Sequence, residues 1–137
     1  MLKARASRFL PPALAAITLA GCGGSSGDVL AIQVSGGGAT RHEIVVANDG
    51  RGRCDRGELR RIEDGRLVDA REIATEVADL AQNGESFGEE ATGARQAYVL
   101  RTTDGTVRWV EATRGLPDPL PRAELLAVAL RRELCGE

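Results

Sequence analysis

The sequence predicts an α+β fold: a small antiparallel sheet of about four strands, in the order β-β-α-β-β-α, with two amphipathic helices on one face. Three observations predict it. Short runs rich in β-branched residues come in two pairs, residues 29–35 with 41–48 and 97–103 with 106–112, each pair joined through glycine. Apolar residues recur at helical spacing in two further stretches, one after Asp69 and one after Pro121. Asp49-Gly50, Asn83-Gly84 and Asp104-Gly105 punctuate these segments as turn signals.

The elements follow in order. Residues 29–35 (VLAIQVS) stop at Gly36-Gly37-Gly38, and residues 41–48 (RHEIVVAN) return, which makes a hairpin. The triple glycine has neither the lysine nor the following helix of a phosphate-binding loop. Residues 51–67 are polar and read as a loop with at most a short strand. Asp69 is placed to cap a helix, with Glu72 completing a capping box and Val68 and Ile73 forming a staple. Ala70, Ile73, Ala74, Val77, Leu80 and Ala81 give that helix one apolar stripe. Residues 84–95 form an acidic loop; the spacing of Glu85, Glu89 and Glu90 departs from that of a calcium-binding loop.

The second hairpin has Asp104-Gly105 at its tip, which favours a two-residue turn. That register sets Thr103 against Thr106, Arg101 against Arg108, Leu100 against Trp109 and Val99 against Val110. Tyr98, Leu100, Val107 and Trp109 then share the core face. Arg101 and Arg108 would oppose each other on the other face, where like charges repel. Either an acidic residue on a neighbouring strand or an anionic partner meets them, so the two are the candidate partner-binding residues. Pro121 suits the first position of the last helix. Its stripe is Ala123, Leu126, Ala127, Leu130 and Leu134, widened by Leu125 and Val128.

The first residues form a segment of a different kind. Lys3, Arg5 and Arg8 precede an apolar run over residues 9–20, and no acidic residue occurs before Asp28. That run is shorter than the ~20 residues a helix needs to cross a bilayer, and it has the layout of a cleavable secretory signal. Leu19-Ala20-Gly21-Cys22 resembles the lipobox of bacterial lipoproteins, in which the cysteine thiol is acylated and becomes the new N-terminus. The resemblance implies a leader over residues 1–21, a lipid on Cys22, a flexible tether to residue 27 and one domain over residues 28–137. It places the domain in the cell envelope, on the outer side of the cytoplasmic membrane or in an outer membrane. Residues 23–27 (GGSSG) span on the order of 12 Å as a random coil.

Loss of Lys3, Arg5 and Arg8 with the leader takes the formal charge from −2 to −5, which argues against a nucleic-acid binder. Seventeen of the eighteen basic residues are arginine, a bias read as compositional. With Cys22 acylated, Cys54 and Cys135 remain as a pair and are expected to form a disulfide in an oxidising compartment. A metal site is the rival reading, but a single histidine and two distant cysteines lack the usual ligand spacing. No metal or other cofactor is expected.

Catalysis needs a nucleophile, a base and a charge stabiliser together. His42 is the sole histidine and falls in a strand, on the face shared with Ile44 and Val46, while Ser35 and Ser86 lack a nucleophile-elbow context. The expectation is a non-catalytic binding or inhibitor-like module with an envelope or secreted protein partner. A small extracytoplasmic hydrolase is the alternative. Val34-Ser35-Gly36-Gly37, the hairpin over residues 98–112 and Pro119-Leu120-Pro121 resemble, in their order, emfourin-type inhibitors of thermolysin-like metalloproteases. Those are small β-rich domains with an early strand entering a Gly-Gly turn, a later hairpin and a final helix introduced by proline. The resemblance implies a protease as partner. Cys54, Cys135 and residues 51–67 depart from that pattern, and no inhibitory residue is carried over.

Overall fold

A computed structural model describes residues 27–89 and 94–136. Cys22, the leader, residues 23–26 of the tether and Glu90 lie outside the described residues. The fold is α+β, with a sheet larger than expected. Strands β1 (Asp28–Gly36) and β2 (Ala39–Ala47) form the glycine-closed hairpin. The stretch read as a loop holds β3 (Arg51–Cys54) and β4 (Arg60–Arg61) and runs on into a helix. After the helical segments come β5 (Ser86–Phe87) and the second hairpin, β6 (Gln96–Thr102) with β7 (Gly105–Val110). Among the described residues the seven strands form one sheet in the order β4-β3-β2-β1-β6-β7-β5. All neighbours are antiparallel except β5 and β7. Strands of two to four residues such as β3, β4 and β5 have no room for a periodic signal, and their formation depends on a neighbouring edge.

The first helix, α1 (Asp64–Glu76), begins at Asp64 and not after Asp69. Ile62 donates its backbone N–H to the Gly50 carbonyl, 3.0 Å away, so β4 delivers the chain straight into the helix. Glu63 caps it without a side-chain hydrogen bond, and its own N–H is taken by Glu133 Oε1 at 3.0 Å. The capping box and staple are therefore absent: Asp69 and Glu72 lie inside the helix, and Val68 is 51% exposed. The apolar stripe holds, with Ala70, Ile73, Val77 and Ala81 buried. Val77 (φ −87°, ψ −2°) interrupts the helix, and α2 (Ala78–Gln82) continues it. The last helix, α3 (Pro119–Leu130), has Pro119 at its first position and Pro121 at its third, and a π-helical turn, Arg131–Cys135, follows it. Ala123, Leu126, Ala127, Leu130 and Leu134 are buried as the stripe requires, whereas Leu125 (72% exposed) and Val128 lie outside it.

The second hairpin turns one position earlier than the Asp-Gly signal suggests. Thr102 pairs with Gly105, Leu100 with Val107, Tyr98 with Trp109, and Val99 with Arg108. Thr103 and Asp104 make the turn, and the Asp104 N–H donates to Thr102 Oγ1. The cause lies in α2. Gly105 has φ +143°, and a Cβ there would stand 2.2 Å from the Ala81 carbonyl oxygen. Gly105 is thus held in the strand by the close approach of a helix end, a tertiary demand that overrides turn preference.

All three helices and the π-turn lie on one side of the sheet. Leu30, Ile32 and Val34 of β1, Ile44 and Val46 of β2, and Leu100, Val107 and Trp109 of the second hairpin meet Ile73, Val77, Leu120, Leu126 and Leu130 there. Each such side chain contributes roughly 1.5–3 kcal/mol on full burial. The core is mainly aliphatic, with Tyr98 and Trp109 stacked within it, ring centroids 5.2 Å apart. The other side of the sheet carries no helix among the described residues.

Candidate functional site

Strand alternation sends every second side chain to that open side. Its middle strands, β1 and β6, present Ala31, Gln33, Ser35, Ala97 and Val99, a floor of uncharged side chains. Arg41 and Arg53 rise from β2 and β3 on one flank, Arg101 and Arg108 from β6 and β7 on the other. Glu43 is the acid among these strand positions, while Asp28 and Asp55 line depressions at the margins of the face. Arg101 opposes Ala31 on β1, and Glu43 opposes Gln33. Their side chains meet across β1, Arg101 Nη2 to Glu43 Oε2 at 2.8 Å. This strut divides the face. A depression of about 400 Å³ on one side is lined by Val29, Ala31, Val45, Arg53 and Thr103. A second of about 350 Å³, on the other, is lined by Ser35, Ala97, Val99, Ser86 and Arg108.

Four arginines at this face, Arg41, Arg53, Arg56 and Arg108, make no ion pair among the described residues. Arg53 Nε is buried and has no acceptor. Acidic groups gather on the helical side: Asp64, Asp69, Glu72, Glu76 and Asp79 lie along α1 and α2. There Arg122 bonds Glu76 at 2.8 Å and Glu72 at 3.0 Å. Arginines lie on the helical side too, Arg66 and Arg71 on α1, Arg122 on α3 and Arg131 and Arg132 on the π-turn. There they stand among these acids, whereas the open face groups four arginines without an ion pair among the described residues.

The hairpin register corrects the expected arrangement of Arg101 and Arg108. They share the open face but sit diagonally, Arg101 opposite Thr106 and Arg108 opposite Val99. Glu43 on β2 supplies the acidic neighbour for Arg101, while Arg108 stays exposed without a countercharge. The hairpin register pointed to these two; Arg53 and Arg56 escape sequence reasoning because they come from a stretch without strand periodicity, and Arg41 because it opens a strand whose apolar residues carry the signal.

A second cluster lies at the edge where β2 and β3 meet the π-turn. Cys54 and Cys135 form the expected disulfide, with Cα atoms 5.3 Å apart. His42, on the core-side face of β2, points at it: Nδ1 is 3.7 Å from Cys54 Sγ and 2.9 Å from Asp55 Oδ2. The other carboxylate oxygen of Asp55 accepts the Glu43 backbone N–H at 2.9 Å. That backbone bond, and then His42, hold the Asp55 carboxyl below its ordinary range. Asp55 itself sits at φ +54°, a conformation aspartate tolerates better than most residues. Ser35 and Ser86 line a depression of the open face, whereas His42, the cross-strand partner of Val34, is on the opposite face; Glu85 and Glu89 are exposed.

Comparison with known proteins returned no match: no family model, curated protein or solved structure resembles the chain significantly. Among the described residues no helix is long and apolar enough to cross a membrane.

Proposed function

We propose that the chain is a membrane-tethered, non-catalytic binding module whose open sheet face docks an acidic segment of a protein partner. The observation that carries this reading is the grouping of arginines without ion pairs, Arg41, Arg53, Arg56 and Arg108, around an uncharged floor on the side that no helix covers among the described residues. Arginine presents a planar fork of donors that suits carboxylates, and the depressions on either side of the Arg101–Glu43 strut admit acidic side chains of a docked segment. Of the large exposed apolar residues among those described, Val68, Leu125 and Val128 lie on the helices and Leu59 on the β3–β4 connection, none on the strands that form the basic face. The likeness of three short motifs to emfourin-type inhibitors makes a secreted metalloprotease the first partner to try.

The test uses an acidic peptide of alternating glutamate and glycine, titrated into the full chain in detergent by calorimetry at low and moderate salt. Reversing Arg41 and Arg108 together to glutamate should weaken binding at least about tenfold, since close charge pairs couple by one to several kcal/mol. Reversing Arg132, exposed on the π-turn, should leave it unchanged. Equal binding by the Arg41→Glu/Arg108→Glu variant overturns the reading, as does preference for vesicles containing anionic lipid over the peptide.

The tether is proposed on the Leu19–Cys22 motif behind the basic start and apolar run of residues 1–20. Expressed in a bacterial host, the Cys22→Ser chain should leave the membrane fraction or accumulate as uncleaved precursor, because two or three acyl chains, at ~0.8 kcal/mol per buried methylene, anchor stably and none does not. Identical fractionation of both chains, with no palmitate label in either, would refute it.

A further inference from the structure

The His42–Cys54–Cys135 cluster belongs to neither the basic face nor the tether, and the binding reading makes no use of it. We propose that this cluster, once its bridge is reduced, is a binding site for a thiophilic divalent cation, zinc fitting best, with Cys54, Cys135, His42 and Asp55 as ligands. Tetrahedral zinc takes sulfur at about 2.3 Å and imidazole nitrogen at about 2.0–2.1 Å, which sets ligand-to-ligand edges of roughly 3.5–3.8 Å. His42 Nδ1 to Cys54 Sγ, at 3.7 Å, and Asp55 Oδ2 to Cys54 Sγ, at 3.6 Å, already stand at that spacing. One ligand atom from each of His42, Cys54 and Cys135 lies within 4.8 Å of the others. The hydrogen bond between His42 and Asp55, 2.9 Å long, opens by about half an ångström when its proton is replaced by the metal. The donor set, two thiolates with imidazole and carboxylate, selects zinc or cobalt over magnesium or calcium.

The chemistry balances with a dithiol reductant. The dithiol transfers two electrons and two protons, leaving as a cyclic disulfide while Cys54 and Cys135 become thiols. The cation then displaces both thiol protons to solvent and binds the two thiolates. Cys54 and Cys135 are half-buried and Asp55 is exposed, so reductant and cation have a way in. The scaffold does not rest on the bridge. Arg60 Nη2 donates to the Glu133 and Leu134 carbonyls at 3.0 and 2.9 Å, and Leu134 packs over Gly52, where a Cβ would stand 2.9 Å from Leu134 Cδ1. The π-turn therefore keeps Cys135 beside β3 when the sulfurs part.

The test uses the full chain carrying Cys22→Ser, so that Cys54 and Cys135 supply the only thiols. The chain is reduced with dithiothreitol, freed of reductant under argon, and titrated with Co²⁺. One Co²⁺ per chain should bind with a sulfur-to-cobalt charge-transfer band and the visible bands of tetrahedral coordination, and Zn²⁺ should displace it. The oxidised chain should show neither band. His42→Ala should weaken binding by at least about tenfold, and Asp55→Asn by less. Circular dichroism checks that each variant keeps the wild-type fold. The proposal is overturned if the reduced chain binds no Co²⁺ at micromolar concentration or loses its native spectrum on reduction. It is equally overturned if both His42→Ala and Asp55→Asn, folded, bind Co²⁺ as tightly as the parent chain.

Discussion

Replacing Trp109 with alanine should lower folding stability by about 3–5 kcal/mol, the range for removing a large aromatic side chain from a packed core. Trp109 is the single tryptophan of the chain and is 2% exposed. It stacks on Tyr98, its direct cross-strand partner, with the ring planes within 8° of parallel. Its indole N–H donates to Glu124 Oε1 of α3 at 2.9 Å, so one side chain joins β7 to the last helix. The alanine variant leaves a cavity, removes the stacking contact, worth about 0.5–1.5 kcal/mol beyond burial, and leaves the half-buried Glu124 carboxylate without its donor. Trp109→Phe separates these effects: it keeps most of the packing and loses the hydrogen bond, at about 1–2 kcal/mol. Urea unfolding followed by far-UV circular dichroism measures both, since the fluorophore is gone. If Trp109→Ala loses less than about 1.5 kcal/mol, Trp109 is not the hinge of the core that its burial and contacts make it.

The core face of each long element was legible because its pattern is repeated enough times to stand above chance. Leu30, Ile32 and Val34 alternate along β1, and Ile73, Val77 and Ala81 recur along the first helix, so burial could be assigned before any contact was known. What could not be read was what a neighbour imposes. Gly105 signals a turn tip by local preference, yet the Ala81 carbonyl needs a residue without Cβ inside the strand, and the register moves accordingly. Glu133 takes the Glu63 N–H from a distance of seventy positions, and a helix start appears where no local cap exists. The basic face was half legible. Arg101 and Arg108 stood out within one hairpin, whereas Arg41 and Arg53 join them only once β3 is seen beside β2. The disulfide followed from counting cysteines in context. The approach of His42 to it did not, because histidine and Cys135 are separated by most of the domain and meet only through the π-turn.

Removing the bridge should destabilise the domain by about 4 kcal/mol while leaving it folded. Cys54 and Cys135 are 81 positions apart, and closing a loop of that length restricts the unfolded chain by about 4–5 kcal/mol on the chain-entropy account. The double variant Cys54→Ala/Cys135→Ala isolates this effect without introducing thiols. The folded state keeps its other ties at the same place: Leu134 in the core, Arg60 on the Glu133 and Leu134 carbonyls, and Glu133 on the Glu63 N–H. Because the loss falls mainly on the unfolded ensemble, the native spectrum should be unchanged while the urea midpoint drops. Wild-type chain unfolded in the presence of reductant and a metal chelator should give the same midpoint as the variant. The intact chain should also weigh two hydrogens less than its dithiol form by mass spectrometry. A double variant within about 1 kcal/mol of wild type, or free thiols at both positions in freshly purified protein, would show that the π-turn is held by Leu134 and Arg60 alone.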